Sequence, residues 1–220
     1  MSVIEIRELS LTLGGVRLFS DASAVFEQGR TYGLVGPNGS GKSVLRKLIC
    51  GFLTPSSGEV IVDPAFLSRG RTFPERFGIA IDGPAYLPNL TGLGNLQELA
   101  DIRKQISTRE IRAIMQQLDL DPDSKQKVRN YSLGMKQKLS LAQALMEDPD
   151  VLLLDEPFNG LDAKSVVRVK VIVGKLHDEG KTMIFTSHNA ADIVELSDDI
   201  VEIDDRKLVA SASRPKPAKS

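Results

Sequence analysis

The tightest constraint on this chain is one short loop. Gly36-Pro37-Asn38-Gly39-Ser40-Gly41-Lys42-Ser43 sets glycines at 36 and 41 ahead of a Lys-Ser pair. Glycine reaches backbone conformations closed to other residues, so such a loop can curl until several N–H groups point inward at phosphate oxygens. The helix that follows adds its positive end. Lys42 is then placed to reach β- and γ-phosphates, and the Ser43 hydroxyl to ligate magnesium. The loop works only between a strand and a helix, and both are present. Thr31 to Val35 is a short apolar strand, and Lys42 to Phe52 reads as a helix with Val44, Leu45, Leu48 and Ile49 on one face.

A second motif lies downstream. Val151 to Leu154 is wholly apolar, the pattern of a strand buried on both faces, and it runs out into Asp155-Glu156-Pro157. Sheets of this class bind ligands at the carboxyl ends of their strands. Asp155 can enter a magnesium shell, directly or through water, and Glu156 can orient and deprotonate an attacking water. Together the two motifs describe a nucleoside triphosphatase.

The remaining chain supplies the frame. Residues 1–35 alternate apolar and polar in short runs broken at Gly14-Gly15 and Gln28-Gly29, as strands and turns do. Thr54 to Gly58 is a turn and Glu59 to Val62 a strand. From about 84 to 148 the pattern becomes helical. Thr91 caps a helix through Gln105, and Ser107 with Glu110 has capping-box spacing ahead of Ile111, Ile114, Met115 and Leu118. The acidic Asp119 to Asp123 lacks the glycine and terminal glutamate of a calcium loop and reads as a loop ending a helix. Asp162 to His177 has a helix's length and flanks, although its valines favour strand locally. Thr182 to Thr186 is a further strand. This order predicts an α/β fold. Its parts are a P-loop NTPase core with a parallel sheet, a small N-terminal antiparallel β subdomain and an inserted helical subdomain. The expected boundaries are 1–210 for one ATP-binding domain, with the helical subdomain at about 84–148. A disordered tail of Ser, Pro, Lys and Ala is expected over 211–220.

Composition narrows the setting. The chain has 220 residues and a formal net charge of −1, enough length for a real core and no global attraction to nucleic acid or anionic lipid. The start has no signal-peptide pattern, and no apolar run approaches the roughly 20 residues that span a bilayer. Any membrane part must come from another chain. The single cysteine, Cys50, cannot form an internal disulfide and reads as a small buried hydrophobe in a reduced, cytosolic protein. His177, beside Asp178 and Glu179, reads as solvated or stabilising a helix end.

The segment between the two motifs narrows the class. Tyr131-Ser132-Leu133-Gly134-Met135-Lys136-Gln137-Lys138 resembles the signature of ABC ATPases, usually Leu-Ser-Gly-Gly-Gln, and lies about 20 residues before the acidic pair. Phe158-Asn159-Gly160-Leu161-Asp162 resembles the family's D-loop, and Thr186-Ser187-His188 its switch histidine. The resemblance spans roughly residues 1–210. It implies that ATP and Mg2+ are bound, with Lys42, Glu156 and His188 acting in hydrolysis and Asp162 near the nucleotide. It also implies that Ser132 and Gly134 contact the γ-phosphate held by a second copy. On residue chemistry alone, Ser132 reads equally as an ordinary N-cap. The helix it opens runs to about Met146, with Met135, Leu139, Ala142, Leu145 and Met146 as its buried stripe.

The implied partners are a second ATP-binding subunit, closing head to tail as a homodimer, and a transmembrane permease on a separate chain. No nucleic acid is implied. That places the protein in the cytoplasm, on the inner face of the membrane. The alternative is a soluble ABC ATPase acting on ribosomes or DNA. Such proteins usually carry two ATPase units or a long coiled-coil arm, and this chain has neither.

Three departures from the family pattern matter. The aromatic residue that stacks on adenine is Leu13 here, with Val16 able to cover the ring edge. Base–aromatic stacking is worth about 1–3 kcal/mol, so weaker base selection is expected. The glutamine after the strand Phe77 to Ile81 is Asp82, still a hard oxygen ligand for magnesium beside Ser43 and Asp155. An acidic residue there, followed by Pro84, Tyr86, Pro88, Asn89, Leu90 and Thr91, is similar to bacterial ATPases of peptide-antibiotic export or self-immunity. Leu133 and Met135 stand where small or amide residues are common, but the Ser132 and Gly134 pair is intact.

Overall fold

The computed structural model describes residues 1–67, 74–81 and 86–211. Two sheets share the N-terminal core. In the smaller, β1 (Ser2–Leu13) lies between β2 (Val16–Glu27) and β4 (Ser57–Val62), all antiparallel. Its hairpin turns at Gly14 and Gly15, whose φ of 57° and 80° suit glycine. Ile4, Ile6, Leu9 and Leu11 point inward from β1, and Phe19, Ala22 and Phe26 from β2.

The larger sheet has the order β5 (Phe77–Ala80), β6 (Val151–Leu154), β7 (Thr182–Phe185), β3 (Thr31–Val35), β8 (Asp199–Asp204), β9 (Lys207–Ser211). The first five run parallel and β9 returns antiparallel. Every residue of β6 and β7 is buried, as the unbroken apolar runs require. Helices α1 (Lys42–Ile49), α5 (Ala163–Asp178) and α6 (Ala190–Leu196) follow β3, β6 and β7. In register, Leu154 lies opposite both Ala80 and Phe185. The residues just beyond β6 and β7 therefore leave the sheet side by side.

Three helices form the middle: α2 (Gly92–Arg103), α3 (Thr108–Gln117) and α4 (Leu133–Leu145). Leu96, Ala100, Ile111, Met115 and Leu139 form their common core, which continues through Leu141 and Ala142 onto Leu152, Leu154 and Phe185 of the sheet. The capping box at Ser107 is complete. The Glu110 carboxylate accepts from the Ser107 N–H at 2.7 Å, and Ser107 Oγ accepts from the Glu110 N–H at 3.3 Å. These bonds hold the Glu110 carboxyl below the usual range.

Several expectations need correction. Helix α1 ends at Ile49, with buried Cys50 as its C-cap, so Phe52 is outside the helix and exposed. Helix α2 stops at Arg103, because Lys104 turns left-handed at φ 54° and its N–H closes on the Ala100 carbonyl. Strand β4 starts at Ser57, two residues before Glu59. Ser211 completes β9, and the remainder of the expected tail lies outside the described residues. His177 does lie in the last turn of α5, as the helix-end reading has it, and it also has an acidic partner. Its Nε2 lies 3.1 Å from Asp198, whose carboxylate also accepts from the Thr31 N–H at the start of β3.

Other readings hold. Asp162 caps α5 by accepting from the Ser165 N–H at 2.8 Å, while Val169 and Val173 are buried one turn apart and Val167 and Val171 face out. The cap and the helical face override the local strand preference of the valines. Cys50 is buried and its thiol is pushed up to about 12, as an inert core residue should be. Among the described residues, no helix is long and apolar enough to cross a membrane.

Candidate active site

The loop between β3 and α1 is shaped by its glycines. Gly36 has φ 144°, and a Cβ there would meet Ser40 Oγ at 2.9 Å and the Ile203 carbonyl at 3.0 Å. Gly41 has φ 107°, and a Cβ would stand 2.8 Å from the Phe19 ring. Both positions exclude side chains by conformation and by space. Gly41 is also the N-cap of α1 and supplies no side-chain cap, so the helix opens with backbone donors turned to the loop. Lys42 Nζ spans that loop, donating to the carbonyls of Gly36 at 2.6 Å and Pro37 at 2.9 Å. Burial lowers the Lys42 pKa from the ordinary lysine range. Glu156 and Asp155 oppose the shift and the positive charge of Arg46 adds to it.

The acidic pair meets this loop from the sheet. The Asp155 N–H donates to the Ala80 carbonyl at 2.7 Å, which fixes the exit from β6. Thr186, just beyond β7, donates from Oγ1 to Asp155 Oδ1 at 2.8 Å and accepts from the Glu156 N–H at 3.1 Å. Arg46 of α1 is 1% exposed and ties the elements together. It donates to Asp155 Oδ2 at 2.7 Å, Ser43 Oγ at 3.1 Å and Thr186 Oγ1 at 3.2 Å.

Glu156 adopts φ 47°, a left-handed conformation that costs a non-glycine residue of order 1–3 kcal/mol unless its neighbours impose it. Here they do. Besides the bond to Thr186, its carbonyl accepts from Gln137 Nε2 at 3.2 Å and its carboxylate from the His188 N–H at 2.9 Å. The His188 ring Nε2 stands 3.6 Å from the same carboxylate, so acid and imidazole form one unit.

These groups line one cleft of about 350 Å3. Asn38, Gly39, Gly41, Lys42 and Ser43 come from the loop, Asp155, Glu156 and His188 from beyond the sheet strands, and Leu18, Val44 and Arg46 complete it. Gly36, Pro37 and Ser40 shape the loop behind. Ser132, Gly134 and Asp162 stand outside the cleft. Ser132 is the N-cap of α4, its Oγ accepting from the Met135 N–H at 3.2 Å. A Cβ on Gly134 would approach the Gly160 carbonyl to 2.8 Å, so the start of α4 packs directly on the 158–162 loop. Asp162 spends its carboxylate capping α5. Leu13 and Val16 face each other across the hairpin and are both largely exposed. Asp82 lies outside the described residues.

A family model described as ABC transporter matches residues 19–159. That span holds the loop, the acidic pair and the start of α4 in their family order. This chain belongs to the ABC transporter family. It is 36% identical over 209 residues to the uncharacterized ABC transporter ATP-binding protein YybJ of Bacillus subtilis, covering 95% of this chain and 96% of that one. It is 32% identical over 209 residues to the bacitracin transport ATP-binding protein BcrA of Enterococcus faecalis, covering 94% and 68%. The fold matches a dimeric, post-hydrolysis structure of the ATP-binding cassette MJ0796 bound to ADP and Pi, with a TM-score of 0.84 at 19% identity over 96% of this chain and 99% of that one. The chain is thus an ABC-type ATPase, an ATP-binding subunit of a transporter.

Sequence reasoning did not single out Arg46, Leu18 or Gln137. Arg46 carries one signal, a cation three residues after Ser43 in a helix otherwise apolar on its inner side. Leu18 had none, because register around a hairpin decides which residue reaches the cleft.

Proposed function

We propose that two copies of this chain close head to tail around two ATP molecules and that hydrolysis drives a separate membrane permease, as an exporter. One observation carries the reading. Lys42, Ser43, Asp155, Glu156 and His188 converge on one cleft, while the second anion-binding helix start, at Ser132 and Gly134, stands outside it. A second copy would supply what the cleft lacks.

In this reading Lys42 turns from its own loop carbonyls to the β- and γ-phosphates, and the backbone donors of the loop and of α1 hold the remaining oxygens. Ser43 and Asp155 fit a magnesium ion. Their oxygens lie 3.1 and 2.7 Å from one guanidinium nitrogen, so a hydroxyl and a carboxylate already converge. In this reading Asp82 is a further hard oxygen ligand, and nucleotide oxygens and waters would complete the shell. Bound there, the ion would neutralise phosphate charge. Glu156 takes the proton of the attacking water, and His188, joined to the Glu156 carboxylate, supports the γ-phosphate.

The export reading rests on relatives such as the bacitracin transport protein and on the acidic Asp82. The docking face proposed for the permease runs from Asp82 to Leu99. Within it, Leu87 is half exposed. Its backbone is clamped by Asn95, which accepts from its N–H at 2.6 Å and donates to its carbonyl at 3.1 Å. A side chain held out on a fixed loop suits a partner's pocket. With Leu13 in place of an aromatic ring, ATP should outcompete GTP by less than about a hundredfold. A larger ratio in competition binding rejects that part.

The test is purification of tagged Glu156→Gln protein from detergent-solubilised membranes with ATP and Mg2+. Recovery of a stoichiometric polytopic membrane protein is expected. Recovery of ribosomes, DNA or the soluble chain alone would leave the ATPase and remove the permease.

A further inference from the structure

The buried guanidinium of Arg46 has no role in the mechanism above. A guanidinium does not lose its proton in a protein, so its burial is costly unless it is paired. The partners it has are specific. Ser43 lies in the first turn of α1, and Asp155 and Thr186 stand just beyond β6 and β7. These are the two proposed metal-ligand side chains and the hydroxyl that fixes the Glu156 N–H. Arg46 lies one helical turn beyond Lys42 on α1, so two positive charges line the cleft, and that of Arg46 is the buried one. Asp155 has one oxygen on Arg46 and the other on Thr186, so its charge is neutralised and its direction set by the chain itself.

We propose that Arg46 is the resident cation of the nucleotide site: a positioning residue that holds Ser43, Asp155 and Thr186 in place and lets the triphosphate bind with little dependence on Mg2+. Where Asp155 lacked such a partner, its carboxylate would repel the phosphates until a divalent ion arrived. Here that repulsion is already offset. The guanidinium fork also spans three elements at once, which a compact ammonium cannot do. The inference rests on the proposed Ser43 and Asp155 metal shell, and the experiment separates the two.

Binding of a fluorescent ribose-labelled ATP is measured in Mg2+ and in EDTA for the wild type, Arg46→Leu, Arg46→Lys and Ser43→Ala, with thermal melting of each. The wild type should bind about tenfold weaker, or less, in EDTA than in Mg2+. Arg46→Leu should lose a further tenfold or so in EDTA and only a few-fold in Mg2+, where the ion supplies the missing charge. Arg46→Lys should recover part of the EDTA affinity. Equal losses of Arg46→Leu in both buffers, or none in either, would make Arg46 a packing residue and overturn the proposal. So would a wild type that loses more than about a hundredfold without the ion, a result that decides the matter even if Arg46→Leu does not fold. Ser43→Ala removes a shell hydroxyl and one Arg46 partner but leaves the guanidinium charge in place. If it keeps the full Mg2+ enhancement, the shell is misassigned, while the EDTA values still judge Arg46.

Discussion

Two helix starts carry the proposed phosphate contacts, and they are built in opposite ways. Helix α1 opens at Gly41 with no side-chain cap, beside a half-buried lysine and above a buried arginine. Helix α4 opens at Ser132 with its own hydroxyl closing the Met135 N–H, next to a Leu133 that is 63% exposed. The first is an anion site, with donors left open, fixed charge and walls from the residues just beyond β6 and β7. The second has one N–H closed by its own hydroxyl, and in the proposed pairing its exposed apolar neighbour would meet the partner. Nucleotide affinity should therefore reside in the first, and the coupling of hydrolysis to pairing of two chains in the second.

The sharpest way to separate them is Glu156→Gln. The carboxylate sits with the first helix start, yet its proposed role is in the chemical step. Its amide should lower ATP turnover by about 10²–10⁴-fold, the usual range for a lost general base. Nucleotide affinity should stay within a few-fold, and sedimentation should show ATP-dependent dimers. Retained turnover would move the base elsewhere. Tight binding without dimers would deny the second helix start its role.

Gly134→Ala should give the next largest effect. Its Cβ would press on the Gly160 carbonyl, and Gly160 cannot retreat freely. At φ 73° it is held against Leu133, which a Cβ of its own would meet at 2.6 Å. Turnover should fall about tenfold or more through misplacement of the α4 start, with monomer nucleotide affinity unchanged. An equal loss of binding would mean that the two helix starts share one site within a single chain.

The same contrast shows what the sequence could disclose. The α1 site is legible because phosphate binding dictates residue types locally: glycines where φ is positive and Cβ has no room, a lysine and a hydroxyl at the helix start. Val151 to Leu154 is legible because burial on both faces demands an unbroken apolar run. Arg46 is not legible in the same way. On a short amphipathic helix it looks like one more charge, and only the meeting of β6 and β7 beneath α1 buries it. His177 and Asp198 find each other across 21 residues for the same reason. Strand β9 was missed because its five residues carry no core of their own. They pair with β8, and only Leu208 is buried.

The smallest effect discriminates most finely. Ser132 and Ser107 cap α4 and α3 with nearly equal bonds, 3.2 Å to the Met135 N–H and 3.3 Å to the Glu110 N–H. Ser107 also donates its hydroxyl to the Glu110 carboxylate at 2.7 Å, so Ser107→Ala should lower the melting temperature at least as much as Ser132→Ala, by about 2–4 °C for each kcal/mol of lost cap energy. Only Ser132→Ala should also slow ATP turnover, and more so at protein concentrations where dimers form. Ser107→Ala should change the acid limb as well. The Glu110 carboxyl is held below its ordinary value by the Ser107 N–H and hydroxyl. A depressed carboxyl contributes stability above its unfolded pKa and loses it as pH falls through the folded one. The gap between wild type and Ser107→Ala should therefore be widest near neutrality and narrow in acid, because the bond to Glu110 weakens as that carboxylate is protonated. If both variants slow turnover alike, Ser132 acts only as a cap and the second phosphate-facing helix start loses its function. If neither does, the backbone N–H groups of α4 carry that function without the hydroxyl, and Gly134→Ala remains the substitution that reaches them.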